Sequence, residues 1–278
     1  MHLNPTSPLL RIFKNMKTYK PKVLIFSGYG LNCEEETEFA FEIAGGTADI
    51  VHINDLIQGN TKIKNYDILA FPGGFSYGDD TGSGKAYANK IRNHLIKDIE
   101  KFISDDKLVI GICNGFQIIT NLGLLPGALT YNDSARYIDR WVDVKTENNK
   151  KQKSPWLIGI DSLALPIAHG EGKYYANTKT LAELNAQSNI ALRYVKGEVC
   201  AYQNLKTNPN GALENIAGVL GYEGKVLGMM PHPERALFIT QLPHYAYLKE
   251  KSKRDGVPLL QHGPGLQIFK NAINYFRK

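Results

Sequence analysis

Cys113 is the residue of this sequence best placed to do chemistry. Ile110-Gly111-Ile112-Cys113-Asn114-Gly115-Phe116-Gln117 sets a thiol between two glycines, where an apolar run passes into a helical pattern. A strand turning sharply into a helix holds the residue at the bend in strained backbone and presents its side chain, the arrangement of a nucleophile elbow. Residues two before and two after the bend must then be small, and Gly111 and Gly115 are. A thiol at a helix start also meets free backbone N–H groups and the positive end of the dipole, which favour the thiolate. The chemistry this predicts is nucleophilic attack on a carbonyl carbon. The bland alternative is a core cysteine packed beside small neighbours.

A thiolate nucleophile needs a base that can later protonate a leaving group. Among seven histidines, His232 in Gly228-Met229-Met230-Pro231-His232-Pro233-Glu234 has the most constrained setting. Pro233 holds His232 extended, and Glu234 can orient the imidazole through its second nitrogen. Cys113, His232 and Glu234 are therefore read as a triad, although the heptapeptide alone would pass for a surface turn. Pro72-Gly73-Gly74-Phe75 ends another apolar run, and glycines there let backbone N–H groups reach a developing oxyanion, with the Asn114 amide as second donor.

Other candidates carry less. Gly82-Ser83-Gly84-Lys85 lacks the glycine spacing of a phosphate loop and has Ala86 in place of the hydroxyl, so ATP binding is not expected there. Asp79-Asp80 reads as a solvated turn, and no metal site is expected. Cys33 is followed by Glu34, Glu35 and Glu36, whose charge opposes a thiolate, and Cys200 has strand-like surroundings; both are read as structural.

These residues need elements to hold them. Val23-Leu24-Ile25-Phe26, Ile68-Leu69-Ala70-Phe71 and Leu108-Val109-Ile110-Gly111-Ile112 are short continuous apolar runs, as strands buried on both faces require. Between them the pattern predicts a helix capped by Asn32 with Phe39, Ala40, Ile43 and Ala44 as its buried stripe. It also predicts an apolar segment with Ala48, Ile50, Val51 and Ile53, and a helix from about Ala86 to Ile103. The series is βαβ, hence an α/β fold with an open, mostly parallel sheet flanked by helices, whose ligands gather beyond the strand carboxyl ends. Both the Pro72 to Gly84 loop and Cys113 leave such ends. Shorter strands at Trp141–Lys145, Ile190–Tyr194, Ile216–Leu220 and Val226–Met230 predict added antiparallel hairpins, and Leu266, Phe269, Ile273 and Phe276 a closing helix.

With 278 residues, 43% hydrophobic and 22% charged, the chain can bury one full core. The organisation expected is a loosely ordered extension over residues 1–20, with Met16 a candidate start, and a single domain over 21–278 with a polar insert at about 244–262. The net charge of +6 is concentrated in Arg11–Lys22, Lys145–Lys153 and Lys249–Arg254 without interleaved aromatics, so a nucleic-acid partner is not expected. No run approaches the roughly 20 apolar residues of a membrane span. Three scattered cysteines fit a reduced, cytoplasmic setting rather than a disulfide framework.

Gly-Ile-Cys113-Asn-Gly-Phe-Gln117, Pro-Gly73-Gly74-Phe-Ser-Tyr-Gly-Asp79 and His232-Pro-Glu234 together resemble the class I (triad) glutamine amidotransferases, which implies a flavodoxin-like sheet. More narrowly, Phe75–Asp79, His169-Gly-Glu-Gly172, Asn208-Pro-Asn-Gly-Ala-Leu-Glu-Asn215 and Leu227–Arg235 are similar to the glutaminase subunits of phosphoribosylformylglycinamidine synthases. The resemblance covers about residues 22–240 and the final helix. It implies hydrolysis of glutamine to glutamate and ammonia by Cys113, His232 and Glu234. It further implies Gly73, Gly74 and Asn114 around the oxyanion, and Gln117 with His169, Gly170, Glu171 and Gly172 near bound glutamine. It implies a synthetase large subunit as partner, with a small accessory subunit admitted, and places ATP and magnesium there; no cofactor is expected in this chain. The Asp80–Lys85 stretch, the N-terminal extension and the 244–262 insert depart from the family pattern.

Three other readings stay open at this level. A glutaminase could serve a synthetase making CTP, GMP or anthranilate, since the ammonia acceptor is chosen by the partner. A cysteine hydrolase or peptidase on a related fold would use the same elbow. A catalytically silent binding subunit would not require the triad to be intact.

Overall fold

A computed structural model describes residues 19–79, 82–147 and 154–277 of the chain. The expected extension lies outside the described residues apart from Tyr19 and Lys20, as do Asp80 and most of the Lys145–Lys153 stretch.

The three continuous apolar runs form β1 (Lys22–Ser27), β3 (Ile68–Phe71) and β4 (Leu108–Ile112), with β3 and β4 buried throughout. A strand with no polar face must be covered on both sides, which places these in the middle of a sheet. Between β1 and β3 come helix α1 (Glu34–Ile43), the edge strand β2 (Thr47–His52) and the short α2 (Ile53–Ile57). Helices α3 (Lys85–His94) and α4 (Ile96–Ser104) precede β4, and α5 (Asn114–Asn121) follows it. The second half adds β5 (Ala128–Thr130), β6 (Ile138–Thr146), β7 (Ser162–His169), β8 (Lys173–Tyr175), α6 (Thr178–Ala186), β9 (Ile190–Val195), α7 (Glu198–Tyr202), β10 (Ile216–Gly221) and β11 (Val226–Met229). Helices α8 (Tyr245–Asp255) and α9 (Leu266–Tyr275) complete it.

The main sheet has nine strands in the order β2-β1-β3-β4-β11-β10-β9-β6-β7, and β5 pairs with β8 separately. From β2 to β11 every pairing is parallel, whereas β11–β10, β10–β9, β9–β6 and β6–β7 are antiparallel. The carboxyl ends of β3, β4 and β11 therefore emerge side by side. Phe41 of α1 meets Phe269 of α9 edge to face at 4.9 Å, closing one face of the sheet. Burying each ring contributes about 1.5–3 kcal/mol.

Several local expectations change. α1 starts one residue later than predicted, with Cys33 rather than Asn32 at the N-cap and no side-chain cap bond. Its core side chains are Thr37, Ala40 and Phe41, while Phe39 is 49% exposed and packs on Phe238 across the surface. Residues 37, 40, 41 and 44 hold the i, i+3, i+4, i+7 spacing of one buried face, and position 39 falls off it. The helix expected from Ala86 to Ile103 is two helices broken at Leu95. Ile53 caps no strand but opens α2, with the His52 side chain accepting from Asn54 N. Cys200 sits in a helix, not a strand, because Asp143 accepts from the N–H groups of Val199 and Cys200 and nucleates the turn. β7 was not predicted. Its inward positions, Leu163, Leu165, Ile167 and His169, alternate with partly exposed ones, including Pro166, a residue disfavoured in strands.

Candidate active site

Cys113 occupies the bend between β4 and α5 with φ 51° and ψ −107°, a left-handed, strained backbone for a residue with a Cβ. The glycine bracket has the steric reason foreseen. A Cβ on Gly115 would lie 1.8 Å from the Phe71 carbonyl oxygen, and one on Gly111 would lie 2.6 Å from the Gly115 oxygen. The thiol is 4% exposed and donates weakly to the Ala168 carbonyl at 3.6 Å. The Cys113 N–H is held by the Met229 carbonyl at 2.8 Å, which ties the elbow to β11.

β11 ends where the second half of the site begins. His232 N–H donates to the Pro166 carbonyl at 2.8 Å, and Pro233 opens a tight 3-10 turn over Pro233–Arg235. This turn brings Glu234 Oε1 to 2.5 Å from His232 Nδ1. Both side chains are almost wholly buried, at 2% and 1% exposure. His232 Nε2 and Glu234 Oε2 have no hydrogen-bond partner among the described residues. Burial alone would lower the proton affinity of His232, but the Glu234 charge, then Cys113 and Cys33 beside the ring, reverse this and hold it well above the ordinary histidine range. Cys113, His232 and Glu234 thus form one cluster.

The Pro72–Gly74 turn borders it. The Gly73 carbonyl accepts from Asn32 N–H at 3.1 Å and Cys33 N–H at 3.2 Å. In a trans peptide the next N–H points the opposite way, so these two bonds fix the direction of the Gly74 N–H. A Cβ on Gly73 would lie 2.6 Å from His232 Cε1, so only glycine lets turn and imidazole approach. Asn114 links the parts: its Oδ1 accepts from Ser76 N at 3.1 Å, and its Nδ2 donates to Gln117 Oε1 at 2.7 Å. Gln117 Nε2 in turn donates to the Glu171 carbonyl at 2.6 Å, and Glu171 Oε2 accepts from Ser83 N at 3.5 Å.

The 169–172 segment is pinned by asparagines that the sequence reading did not single out. Asn132 Nδ2 donates to the His169 and Arg136 carbonyls, which leaves its Oδ1 to accept from Gly172 N–H and from His169 Nδ1, each at 3.1 Å. His169 is therefore the Nδ1–H tautomer, and its buried Nε2 is an acceptor with no partner among the described residues. Burial, then the nearby charge of His232, lowers the His169 pKa to about 3, so the ring is neutral. Asn210 Nδ2 holds the Gly172 carbonyl at 2.7 Å. Asn210 lies inside a stretch that carried the family resemblance but no role. Asn132 offered no signal, since a lone asparagine in a turn is ordinary.

Cys33, read from the sequence as structural, is 1% exposed, and burial raises its pKa and keeps it a thiol. Its Sγ lies with a His232 nitrogen and a Glu234 oxygen in a group whose members are all within 4.8 Å of one another. Sequence distance hid this, because Cys33 precedes His232 by about two hundred residues. A cavity of about 520 Å³ lies apart from the cluster, between the 239–263 segment and the β6–β7 edge.

The structure thus places a buried Cys–His–Glu cluster at the carboxyl ends of adjacent parallel strands of an α/β fold, with a glycine turn beside it. A family model for the CobB/CobQ-like glutamine amidotransferase domain matches residues 20–276, and the chain belongs to that family. Within it, the chain is 49% identical over 270 residues to a protein of Methanococcus maripaludis named phosphoribosylformylglycinamidine synthase subunit PurQ, covering 93% of this chain and 98% of that one. It is 38% identical over 267 residues to a protein of the same name from Dehalococcoides mccartyi, covering 93% and 99%. A chain of the solved structure of PurLQS from Thermotoga maritima superposes with a TM-score of 0.69 at 33% identity, over 92% of this chain and 99% of that chain.

Proposed function

We propose that this glutamine amidotransferase hydrolyses L-glutamine to glutamate and ammonia, with Cys113 as nucleophile. The observation that carries the reading is the strained Cys113 elbow beside a buried imidazole whose Nδ1 is 2.5 Å from Glu234 and whose Nε2 is otherwise unpartnered among the described residues. His232 takes the thiol proton, and the thiolate attacks the carboxamide carbon of glutamine. The N–H groups of Gly74 and Asn114 receive the oxyanion; the latter is a first-turn amide with no intrahelical partner. The imidazolium then protonates the departing amine, the C–N bond breaks, and a γ-glutamyl thioester remains on Cys113. Water gives a proton to His232, attacks the thioester and releases glutamate, and the proton returns to sulfur. Glu234 keeps the ring in the required tautomer and offsets its charge. Gln117 and the His169–Gly172 segment line the glutamine site.

The names of the relatives support a place for the ammonia. A synthetase large subunit, with a small accessory subunit, takes it up and uses ATP and magnesium to convert formylglycinamide ribonucleotide to formylglycinamidine ribonucleotide in purine biosynthesis. No cofactor is assigned to this chain. Among the described residues no helix is long and apolar enough to cross a membrane, and the setting proposed is the cytoplasm. The test uses the chain together with its synthetase. Cys113→Ala should abolish glutamine-dependent amidation and leave ammonia-dependent amidation intact, whereas equal loss of both would contradict the reading.

A further inference from the structure

Behind the His232 ring lies a group of side chains that the triad does not use. Cys33, immediately before α1, is 1% exposed, and its Sγ accepts a hydrogen bond from Arg235 Nη2 at 3.0 Å. The same guanidinium nitrogen pairs with Glu36 Oε1 at 3.3 Å. A Cβ on Gly73 would lie 2.9 Å from Cys33 Sγ as well as 2.6 Å from His232 Cε1, so sulfur and ring edge flank one glycine. The main chain of Cys33 is equally committed. Its N–H holds the Gly73 carbonyl at 3.2 Å, and its carbonyl accepts from Thr37 Oγ1 at 2.6 Å. A sulfur filling core space needs only apolar neighbours. This one is surrounded by a guanidinium, an imidazole and a carboxylate.

We propose that Cys33 is a positioning residue for His232: its sulfur, clamped by the Arg235–Glu36 pair, backs the imidazole and keeps it turned toward Cys113. The inference rests on the triad assignment given above. When His232 takes the Cys113 proton, the charge that appears on the ring is met on one side by Glu234 and on another by the polarisable Cys33 sulfur. Cys33 itself neither gains nor loses a proton. Burial, ahead of the neighbouring charges, raises its pKa and keeps it a thiol, with Asn32 Oδ1 at 3.5 Å as acceptor. The titratable and charged groups around the ring are Glu234 and Arg235 on its own turn, Cys113 at the elbow, Cys33 and Glu36 at the start of α1, and His169 at the end of β7. Tyr137 completes the set.

The experiment is alkylation of Cys113 by iodoacetamide in the full chain, resolved by peptide mass spectrometry and followed across the neutral pH range. In the wild type Cys113 should react faster than an ordinary thiol, and His232→Ala should remove that advantage. Cys33→Ala should slow Cys113 alkylation about tenfold at neutral pH, because the imidazole that activates the thiol loses its support. Cys33→Ser, which still accepts from Arg235, should stay within about threefold, and Arg235→Gln should slow the reaction by about threefold. In the complex with the synthetase, Cys33→Ala should lower kcat while leaving the KM for glutamine within about twofold. A Cys33→Ala protein with the wild-type alkylation rate and kcat would overturn the proposal. So would equal slowing by Ala and Ser that tracks a shared loss of thermal stability, which is a packing effect. If His232→Ala leaves Cys113 alkylation unchanged, the triad itself fails, and that result is separate from anything seen at Cys33.

Discussion

The parallel and antiparallel halves of the nine-stranded sheet contribute to the site in different currencies. The parallel half, β2 to β11, supplies side chains and one turn: Cys113 after β4, His232 and Glu234 after β11, and Gly73–Gly74 after β3. The antiparallel half supplies mainly carbonyls and a pinned segment. Pro166 and Ala168 of β7 offer acceptors to His232 N–H and to the Cys113 thiol, and Asn132 and Asn210 fix residues 169–172. β11 joins the halves, parallel to β4 on one side and antiparallel to β10 on the other. The proposed reacting groups thus stand on the doubly covered part, and the other part supplies the wall proposed for the glutamine site.

Changes on the two sides should therefore fail differently. Gly115→Ala strikes the parallel half, driving a Cβ to 1.8 Å from the Phe71 oxygen. The expected cost is about 3 kcal/mol or more of stability, with loss of the elbow, measured by denaturant unfolding. Glu234→Gln keeps the shape but removes the charge and the tautomer control of His232. Glutaminase kcat should fall by roughly 10²-fold or more with little change in unfolding midpoint; a loss under about threefold would mean that Glu234 is only structural.

An effect confined to acid pH belongs to the antiparallel half. His169 has its pKa lowered to about 3 by burial and then by His232, so the unfolded chain binds its proton first as pH falls. Stability from this group is fully present above about 6.5 and is lost progressively as pH drops toward about 3. His169→Asn should flatten that part of the acid-side decline in stability. A variant with the same pH slope as the wild type would show that His169 titrates normally.

Legibility in the sequence followed the same division. Cys113, His232 and Glu234 could be found because elbow, proline-framed turn and strand end leave local signatures, and β1, β3 and β4 because strands covered on both faces are continuously apolar. β7 was missed because Pro166 interrupts a half-exposed pattern, and its main contribution is backbone carbonyls, which no residue type announces. The setting of Cys33 was not legible because the groups beside its sulfur, His232, Glu234 and Arg235, come from the far end of the chain. The break at Leu95 divides a stretch whose apolar period alone reads as one helix.

The central claim is that Cys113 carries the acyl group of glutamine. The direct measurement is acid quenching of the chain and its synthetase during turnover on isotopically labelled glutamine, followed by mass spectrometry of the Cys113 peptide. The account predicts a labelled γ-glutamyl thioester on Cys113, absent in Cys113→Ala and longer-lived in a His232→Ala protein acylated by an activated glutamyl ester. Glutamate release at an undiminished rate from the Cys113→Ala protein, with no adduct on the wild-type peptide, would contradict it.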